Sequence, residues 1–142
     1  MINPYIGLTI SVKDYKKGIS KEHLQFNKLL IVIRDILNKQ QVKPCKDILY
    51  KSLQPCFTKI EENEFKEKLW YFLVSENMKD WIMIDLFETF NITQELIKGF
   101  INNIQDQLYN NQDLSDKKKD FICLKICKIF NKFYNNKKYN IN

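Results

Sequence analysis

Apolar residues in the first third of the chain recur at the spacing of an amphipathic helix. Leu30, Ile33 and Leu37 follow one another at intervals of three and four residues, which brings their side chains to one helical face. Ser20 is suited to cap the start of this helix because its hydroxyl can accept a backbone N–H of the first turn. The pattern therefore predicts a helix that begins after Ser20 and ends near Gln40.

Two further helices are predicted in the next part of the chain. Pro44 can occupy the first turn of a second helix, and Pro55 should kink or end it. Glutamates within residues 61–64 favour the start of a third helix, since carboxylates stabilise the exposed amides of a first turn. Apolar residues then recur around Leu69, and Asn77 is a suitable residue at which the helix ends.

Three more helices complete the predicted set. A short fourth helix spans Trp81 to Phe90, and Thr93 can cap a fifth helix that continues to residue 108. Ser115 can cap a sixth helix, in which apolar residues recur as far as Phe133. Only three glycines and three prolines interrupt the chain, which favours long helices over a fold with many turns.

The sequence therefore predicts an all-α fold with about six helices in a single domain. That helical domain covers residues 20–134, and 142 residues are enough to bury a sizeable core. We expect residues 1–19 to form an extended N-terminal arm, since residues 6–12 are apolar without helical spacing. The polar residues 135–142 are expected to form a flexible, basic tail.

Charge is distributed unevenly along the chain, whose net charge is +6. Residues 1–60 hold eleven Lys or Arg against four Asp or Glu, and residues 111–142 hold eight against three. Residues 61–110 reverse the balance, with four basic residues against ten acidic ones. An acidic middle region thus lies between two basic flanks, and this limits which regions can approach an anionic partner.

The acidic middle region has the layout of a helix-turn-helix unit. In residues 61–108 a longer helix is followed by a short helix, a tight turn and a third helix that begins after Thr93. The residues 93–103, with their Ser/Thr cap and the run Phe100-Ile101-Asn102-Asn103, resemble the third helix of homeobox-like and Myb/SANT-like domains. The resemblance implies a tri-helical DNA-binding unit in which Phe100 and Ile101 are core anchors.

The same resemblance implies a set of DNA-contacting residues on the third helix. Asn103 corresponds to the asparagine that pairs with adenine in homeodomains, where one amide can bind N6 and N7 together. Lys98 and Asn102 are neighbouring candidates. The helix departs from the family pattern because Lys98 is its one basic residue. The alternative interpretation of Asn102 and Asn103 is an ordinary solvent-facing pair.

Further candidate DNA contacts lie in the basic flanks. Lysines neutralise phosphates without regard to sequence, and the best clusters are Lys16, Lys17, Lys117, Lys118, Lys119, Lys137 and Lys138. The alternative is that these lysines only aid solubility. The cluster at 117–119 opposes the dipole of its own helix, which indicates an acidic neighbour: either DNA or the protein's acidic middle region.

A second resemblance concerns the whole chain. Ciliate DNA adenine methyltransferase complexes combine catalytic-type chains with small homeobox-like accessory chains, and this sequence resembles the smaller accessory chain in size, composition and its third helix. The resemblance implies a non-catalytic accessory subunit in the nucleus, without a cofactor, which binds protein subunits and double-stranded DNA. The alternative is a purely protein-binding adaptor, since residues 69–87 are similar to a LisH dimerisation motif with Asn77 in place of its usual glycine.

Catalytic chemistry is not indicated by the sequence. His23 is the one histidine and has no nucleophilic partner at a readable spacing, so we expect no enzyme activity. Cys45, Cys56, Cys123 and Cys127 lack paired metal-ligand spacing, and we expect free thiols and no metal. The apolar run 29–33 is too short to cross a membrane, and the first residues do not resemble a signal peptide. We therefore expect an intracellular protein without a membrane partner.

Overall fold

The computed structural model describes residues 21–74, 86–87 and 89–134, and this part of the chain is helical without β-strands. Its five α-helices are α1 (Lys21–Lys39), α2 (Cys45–Leu53), α3 (Glu62–Val74), α4 (Gln94–Tyr109) and α5 (Asp116–Tyr134). A 3-10 turn, Gln54–Cys56, follows α2 directly. The all-α prediction is confirmed.

The helix boundaries follow from local chemistry in the sequence. Thr93 caps α4, because its hydroxyl accepts the Leu96 amide at 3.1 Å. At the start of α5 the hydroxyl of Ser115 accepts the Lys118 amide at 3.2 Å. The Glu61 carboxylate caps α3 by accepting the amides of residues 63 and 64, and these bonds lower its pKa. Each cap satisfies backbone donors that have no partner within the helix itself.

Helix α1 buries nine of its 19 residues. Six of these residues are apolar, including Phe26, Leu30 and Ile33. Three polar residues of α1 are buried as well: His23, Asn27 and Arg34. The burial of polar as well as apolar positions indicates that α1 packs against several neighbouring segments.

The polar residues of α1 stabilise other elements through backbone carbonyls. The Arg34 guanidinium donates to the Phe72 carbonyl at 2.7 Å, in the last turn of α3, and lies 4.8 Å from the centre of the Phe72 ring. A cation at a helix C-terminus complements the helix dipole. His23 Nε2 donates to the Phe87 carbonyl at 2.8 Å. Both bonds fix the position of α1 against the segments that contain these phenylalanines.

Phenylalanines fill the interior between α1, α4 and the turn after α2. The Phe87 ring is central to this cluster, since its centre lies 4.3 Å from that of Phe57 and 5.5 Å from that of Phe26. Phe26 also meets Phe100 edge to face at 6.0 Å. Such tilted and edge-on contacts are the preferred geometry of aromatic pairs. The predicted anchors Phe100 and Ile101 are both buried, as expected.

Helix α4 packs most extensively on α2 and then on α5. The side chain of Gln94, at the start of α4, reaches the Tyr134 carbonyl at the end of α5, so the two helices run antiparallel. Because α2 lies outside residues 61–108, the main packing partner of α4 is not part of the predicted tri-helical unit. The described contacts therefore tie α4 to the whole helical domain.

Some predictions fall outside the described residues. These are the Ser20 cap, the arm of residues 1–19, most of the fourth predicted helix and the tail of residues 135–142. Pro44 differs slightly from its predicted place, since it precedes α2 as the N-cap residue. Within the described part of the chain, none of the helices has the length and apolar composition needed to cross a bilayer.

Candidate nucleic-acid interface

The homeobox-like resemblance implies DNA contacts by three residues of α4: Lys98, Asn102 and Asn103. In the structure two of them are exposed and one is half-buried. Lys98 and Asn102 are exposed on the outer side of the helix. Asn103 is half-buried and turned toward α2, where its side-chain amide donates to the Ser52 carbonyl at 3.1 Å. An amide held in this way is not presented to a DNA groove. In the structure the Asn103 side chain therefore joins α4 to α2, and base reading by Asn103 stays an untested prediction.

The outer side of α4 is chemically mixed. Its apolar residues, among them Ile97, Ile104 and Leu108, face the core. The exposed positions that remain include one lysine, Lys98, and two carboxylates, Glu95 and Asp106. Carboxylates close to a duplex are repelled by its phosphates, so this surface is poorly suited to bind DNA by itself.

The three lysines at the start of α5 have different environments. Lys117 is exposed and Lys118 is half-buried. Lys119 Nζ donates to the Tyr109 carbonyl at 2.9 Å and lies 3.9 Å from an Asp116 carboxylate oxygen. Tyr109 is the last residue of α4, so the acidic neighbour of Lys119 is the carbonyl end of α4. The side chain of Lys119 is 12% exposed, which leaves it a structural role in the α4–α5 connection.

The outer side of α5 carries a row of lysines, of which only the first, Lys117, belongs to a sequence cluster. Lys117, Lys125, Lys128 and Lys132 are all exposed, and we call these four residues the α5 lysine face. At 100° per residue their side chains fall within one quarter of the helix circumference, spread over about 22 Å of its length. Within α5, which the structure describes throughout, the acidic residues are Asp116 and Asp120. Asp120 contacts Tyr109 of α4, and the exposed Asp116 lies near Lys119.

Two apolar side chains interrupt the α5 lysine face. Phe121 is 49% exposed and Leu124 is 57% exposed, and both project from the same side of the helix as the lysines. Lys125 Nζ lies 5.4 Å from the centre of the Phe121 ring, in a cation–π contact. The surface is therefore not only basic, because it also offers an aromatic ring with an ammonium group beside it.

The boundary between α4 and α5 is held by polar contacts. Gln105 donates to the Cys127 sulfur at 2.9 Å, and the Tyr109 hydroxyl donates to an Asp120 carboxylate oxygen at 3.3 Å. The electrostatic influence of Cys123, followed by partial desolvation and the Asp120 carboxylate, raises the pKa of Tyr109. Tyr109 thus keeps its proton at neutral pH, and its hydroxyl continues to donate to the Asp120 carboxylate, which lies beside the α5 lysine face.

Two other pairs of predicted contact residues cannot be assigned a position. Lys16 and Lys17, and likewise Lys137 and Lys138, lie outside the described residues.

The clusters found in the sequence missed Lys125, Lys128 and Lys132, because these lysines are separated from one another in sequence. The signal that could have found them is their spacing of three and four residues, which is the spacing of one helical face.

Three of the four cysteines lie in environments that keep their thiols unreactive. All four cysteines are free thiols. Burial raises the pKa of Cys45 to about 11, although the nearby Arg34 opposes this shift, and burial also raises the pKa of Cys56 and Cys123. A raised pKa keeps a thiol protonated and unreactive at neutral pH. In the described ranges, no group of three or more His, Cys, Asp or Glu residues could hold a metal ion.

A second exposed surface lies on α3 and contains aromatic residues. Trp70 is 51% exposed, and Tyr71 and Val74 are exposed beside it. Lys46 Nζ from α2 lies 4.1 Å from the centre of the Trp70 ring. Phe72 of the same helix is fully buried, so the exposed aromatic area of α3 comes from Trp70 and Tyr71.

Comparisons of the chain with protein-family models, with curated proteins and with solved structures find no match. The geometry of the α4 and α5 surfaces is therefore the basis for a functional assignment.

Proposed function

We propose that this chain is a non-catalytic DNA-binding subunit of a nuclear protein complex, which holds DNA mainly through the α5 lysine face. The observation that carries the proposal is the exposure of Lys117, Lys125, Lys128 and Lys132 on one side of a single helix. Each ammonium group can displace a condensed counterion from a phosphate, and the entropy of that release drives sequence-independent binding.

The position of the acidic groups supports this assignment. Asp120 lies at the edge of α5 that faces α4 and accepts a hydrogen bond from Tyr109. Asp116 lies near Lys119, which is itself engaged with the end of α4. The central part of the α5 lysine face, from residue 121 to residue 132, has no carboxylate within the described helix, and its five exposed lysines and apolar residues are Phe121, Leu124, Lys125, Lys128 and Lys132. A phosphate backbone can therefore approach this part of α5 with less like-charge repulsion than it would meet from Glu95 and Asp106 on α4.

A non-catalytic role fits the environment of the side chains that could carry chemistry. His23 is buried and its ring is bonded to the Phe87 carbonyl. Three of the thiols have raised pKa values because they are buried. The resemblance in size and composition to accessory chains of ciliate DNA adenine methyltransferase complexes makes such a complex the assembly that we propose, in which other chains supply the reaction.

A salt titration of duplex DNA binding tests the proposal. The full chain is mixed with a fluorescent duplex of mixed sequence, and the dissociation constant is measured between 50 and 200 mM salt. If the four lysines each neutralise one phosphate, a plot of log affinity against log salt should have a slope of about −3 to −4. Affinity that does not change with salt, or an absence of binding at the lowest salt, contradicts the proposal.

The partner complex needs a separate test. We expect the native protein, purified under gentle conditions, to co-purify in stoichiometric amounts with a chain that has adenine methyltransferase activity on DNA. A purified complex without that activity contradicts the proposed assembly, while the salt titration continues to decide whether the chain binds DNA.

A protein-binding adaptor is the second candidate function, and the α3 surface favours it. Trp70, Tyr71 and Val74 expose apolar area of the kind that aromatic interface residues bury in complexes. In this case DNA would not bind at any salt concentration, and Trp70→Ala would weaken the interaction with a protein subunit. The same salt titration thus separates the two functions.

A further inference from the structure

The α5 lysine face contains apolar groups that contacts with phosphates alone do not need. Phe121 and Leu124 project between the lysines and are about half exposed. In duplex DNA the base faces are stacked inside the helix, so a ring that approaches from outside meets phosphates, sugars and groove edges. Binding of a duplex backbone would therefore leave the flat face of Phe121 without a matching partner.

The ring of Phe121 lies between cationic groups on both sides. Lys117 is one helical turn before it and Lys125 one turn after it, so the two lysines are about 12 Å apart along the helix axis. Lys125 Nζ lies 5.4 Å from the ring centre. An aromatic platform between phosphate-binding groups is the combination that binds single-stranded nucleic acids, since unpaired bases offer a π-face beside each phosphate.

A second ring lies beside this platform. Tyr109 is 50% exposed at the end of α4, and its hydroxyl donates to Asp120, the residue that directly precedes Phe121. The bond fixes the phenol against the edge of the α5 lysine face. Two exposed rings held on two packed helices can contact successive bases of a strand, and this adds a reason for the surface to select unpaired bases.

We propose that the α5 lysine face binds single-stranded nucleic acid in preference to duplex, with Phe121 stacked on a base and Lys117, Lys125 and Lys128 on the adjacent phosphates. This inference rests on the proposed function and names the form of nucleic acid that the same surface selects. An anionic membrane is a weaker fit, because Phe121 and Leu124 are the two large apolar side chains on a face whose other exposed members are mainly lysines.

The test compares a 12-nucleotide single strand with the duplex of the same sequence, both fluorescently labelled, at one salt concentration. The wild-type chain should bind the single strand at least about tenfold more tightly. Phe121→Ala should lower its affinity for the single strand roughly 5- to 100-fold and its affinity for the duplex less than about twofold. Phe121→Trp, which retains a stacking ring, should bind the single strand as well as the wild type does.

Trp70→Ala is the matched control, because it removes an aromatic residue of similar exposure from α3. It should leave both affinities unchanged. Equal binding of the two nucleic acids, or an equal loss on both when Phe121 is replaced, overturns the preference while the proposed DNA-binding function stands. If the chain binds neither the single strand nor the duplex, and instead binds vesicles of phosphatidylcholine and phosphatidylserine in a way that depends on Phe121, both the preference and the proposed DNA-binding function are overturned. Unchanged circular dichroism melting confirms that each variant is folded.

Discussion

Helices α4 and α5 lie side by side, yet their outer surfaces are suited to different partners. The exposed side of α4 combines Lys98 with Glu95 and Asp106, whereas that of α5 carries four lysines. The similarity of α4 to a recognition helix depends on apolar anchors such as Phe100, which any helical core can supply. An anionic ligand is attracted by positive charge on an exposed helix face, and in this protein that charge is on α5, the neighbour of α4.

The connection between these helices shows that a lysine cluster in sequence is not a binding surface by itself. Lys117 and Lys119 are two residues apart but point in different directions around α5. Lys117 is exposed, while Lys119 is bound to the last carbonyl of α4. A basic run can therefore contain one residue for a ligand and another that stabilises the contact between two helix ends.

The largest effect is expected from charge reversal on α5. Replacement of Lys117, Lys128 and Lys132 by glutamate should lower duplex affinity on the order of 100-fold at low salt, because phosphate attraction becomes repulsion at three exposed positions. The measurement is a fluorescence anisotropy titration at 50 mM salt. Leaving Lys125 in place preserves its contact with Phe121.

The matched control for this change reverses three exposed lysines on other elements, Lys39, Lys51 and Lys59. It changes the net charge by the same amount, and we expect a loss of less than about threefold, since exposed charges beyond a Debye length are screened. An equal loss in both variants would mean that net charge, and not the α5 lysine face, determines binding.

A smaller effect is expected from Asn103→Ala on α4. The change removes the donor to the Ser52 carbonyl and should lower the free energy of unfolding by about 1 to 2 kcal/mol. DNA affinity should not change, because the amide is turned toward α2. Asn102→Ala at the exposed neighbouring position is the control and should cost less than about 0.5 kcal/mol. Urea denaturation measures both, and reduced DNA affinity at unchanged stability would instead support base reading by Asn103.

The smallest effect is a gain in stability from Gly99→Ala in α4. A Cβ atom at this position would meet nothing within 4 Å, so alanine fits without a clash. Alanine also reduces the conformational freedom of the unfolded chain, and the free energy of unfolding should rise by about 0.5 to 1 kcal/mol. DNA affinity should stay within error. A decrease in thermal stability would show that the outer side of α4 is less open than its geometry indicates.

Local features of the fold could be predicted from the sequence because their causes are local. The Thr93 and Ser115 hydroxyls cap the helices that follow them, and Pro55 lies in the 3-10 turn that ends α2. The resemblance of residues 93–103 to a homeobox-like third helix also implied that Phe100 and Ile101 are core anchors, and both are buried. Each of these predictions depends on residues within one or two helical turns of each other.

Contacts between distant residues could not be predicted in this way. The partner of Asn103 is Ser52, which is 51 residues away in sequence. Arg34, the one arginine of the chain, reaches the Phe72 carbonyl, 38 residues away. Periodicity shows that a residue faces inward but not which helix it meets, so the packing of α4 on α2 became evident only from the structure. The lysines of α5 form a surface only once the helix face is known.

The most direct test of where DNA binds is a map of amide chemical shifts in the ¹⁵N-labelled protein during titration with the duplex. If the α5 lysine face binds DNA, we expect the largest changes at Lys117, Phe121, Lys125 and Lys128 on α5. The changes at Lys98 and Asn102 on α4 should stay close to those of core residues. The largest changes on the outer side of α4, with α5 unaffected, would contradict it.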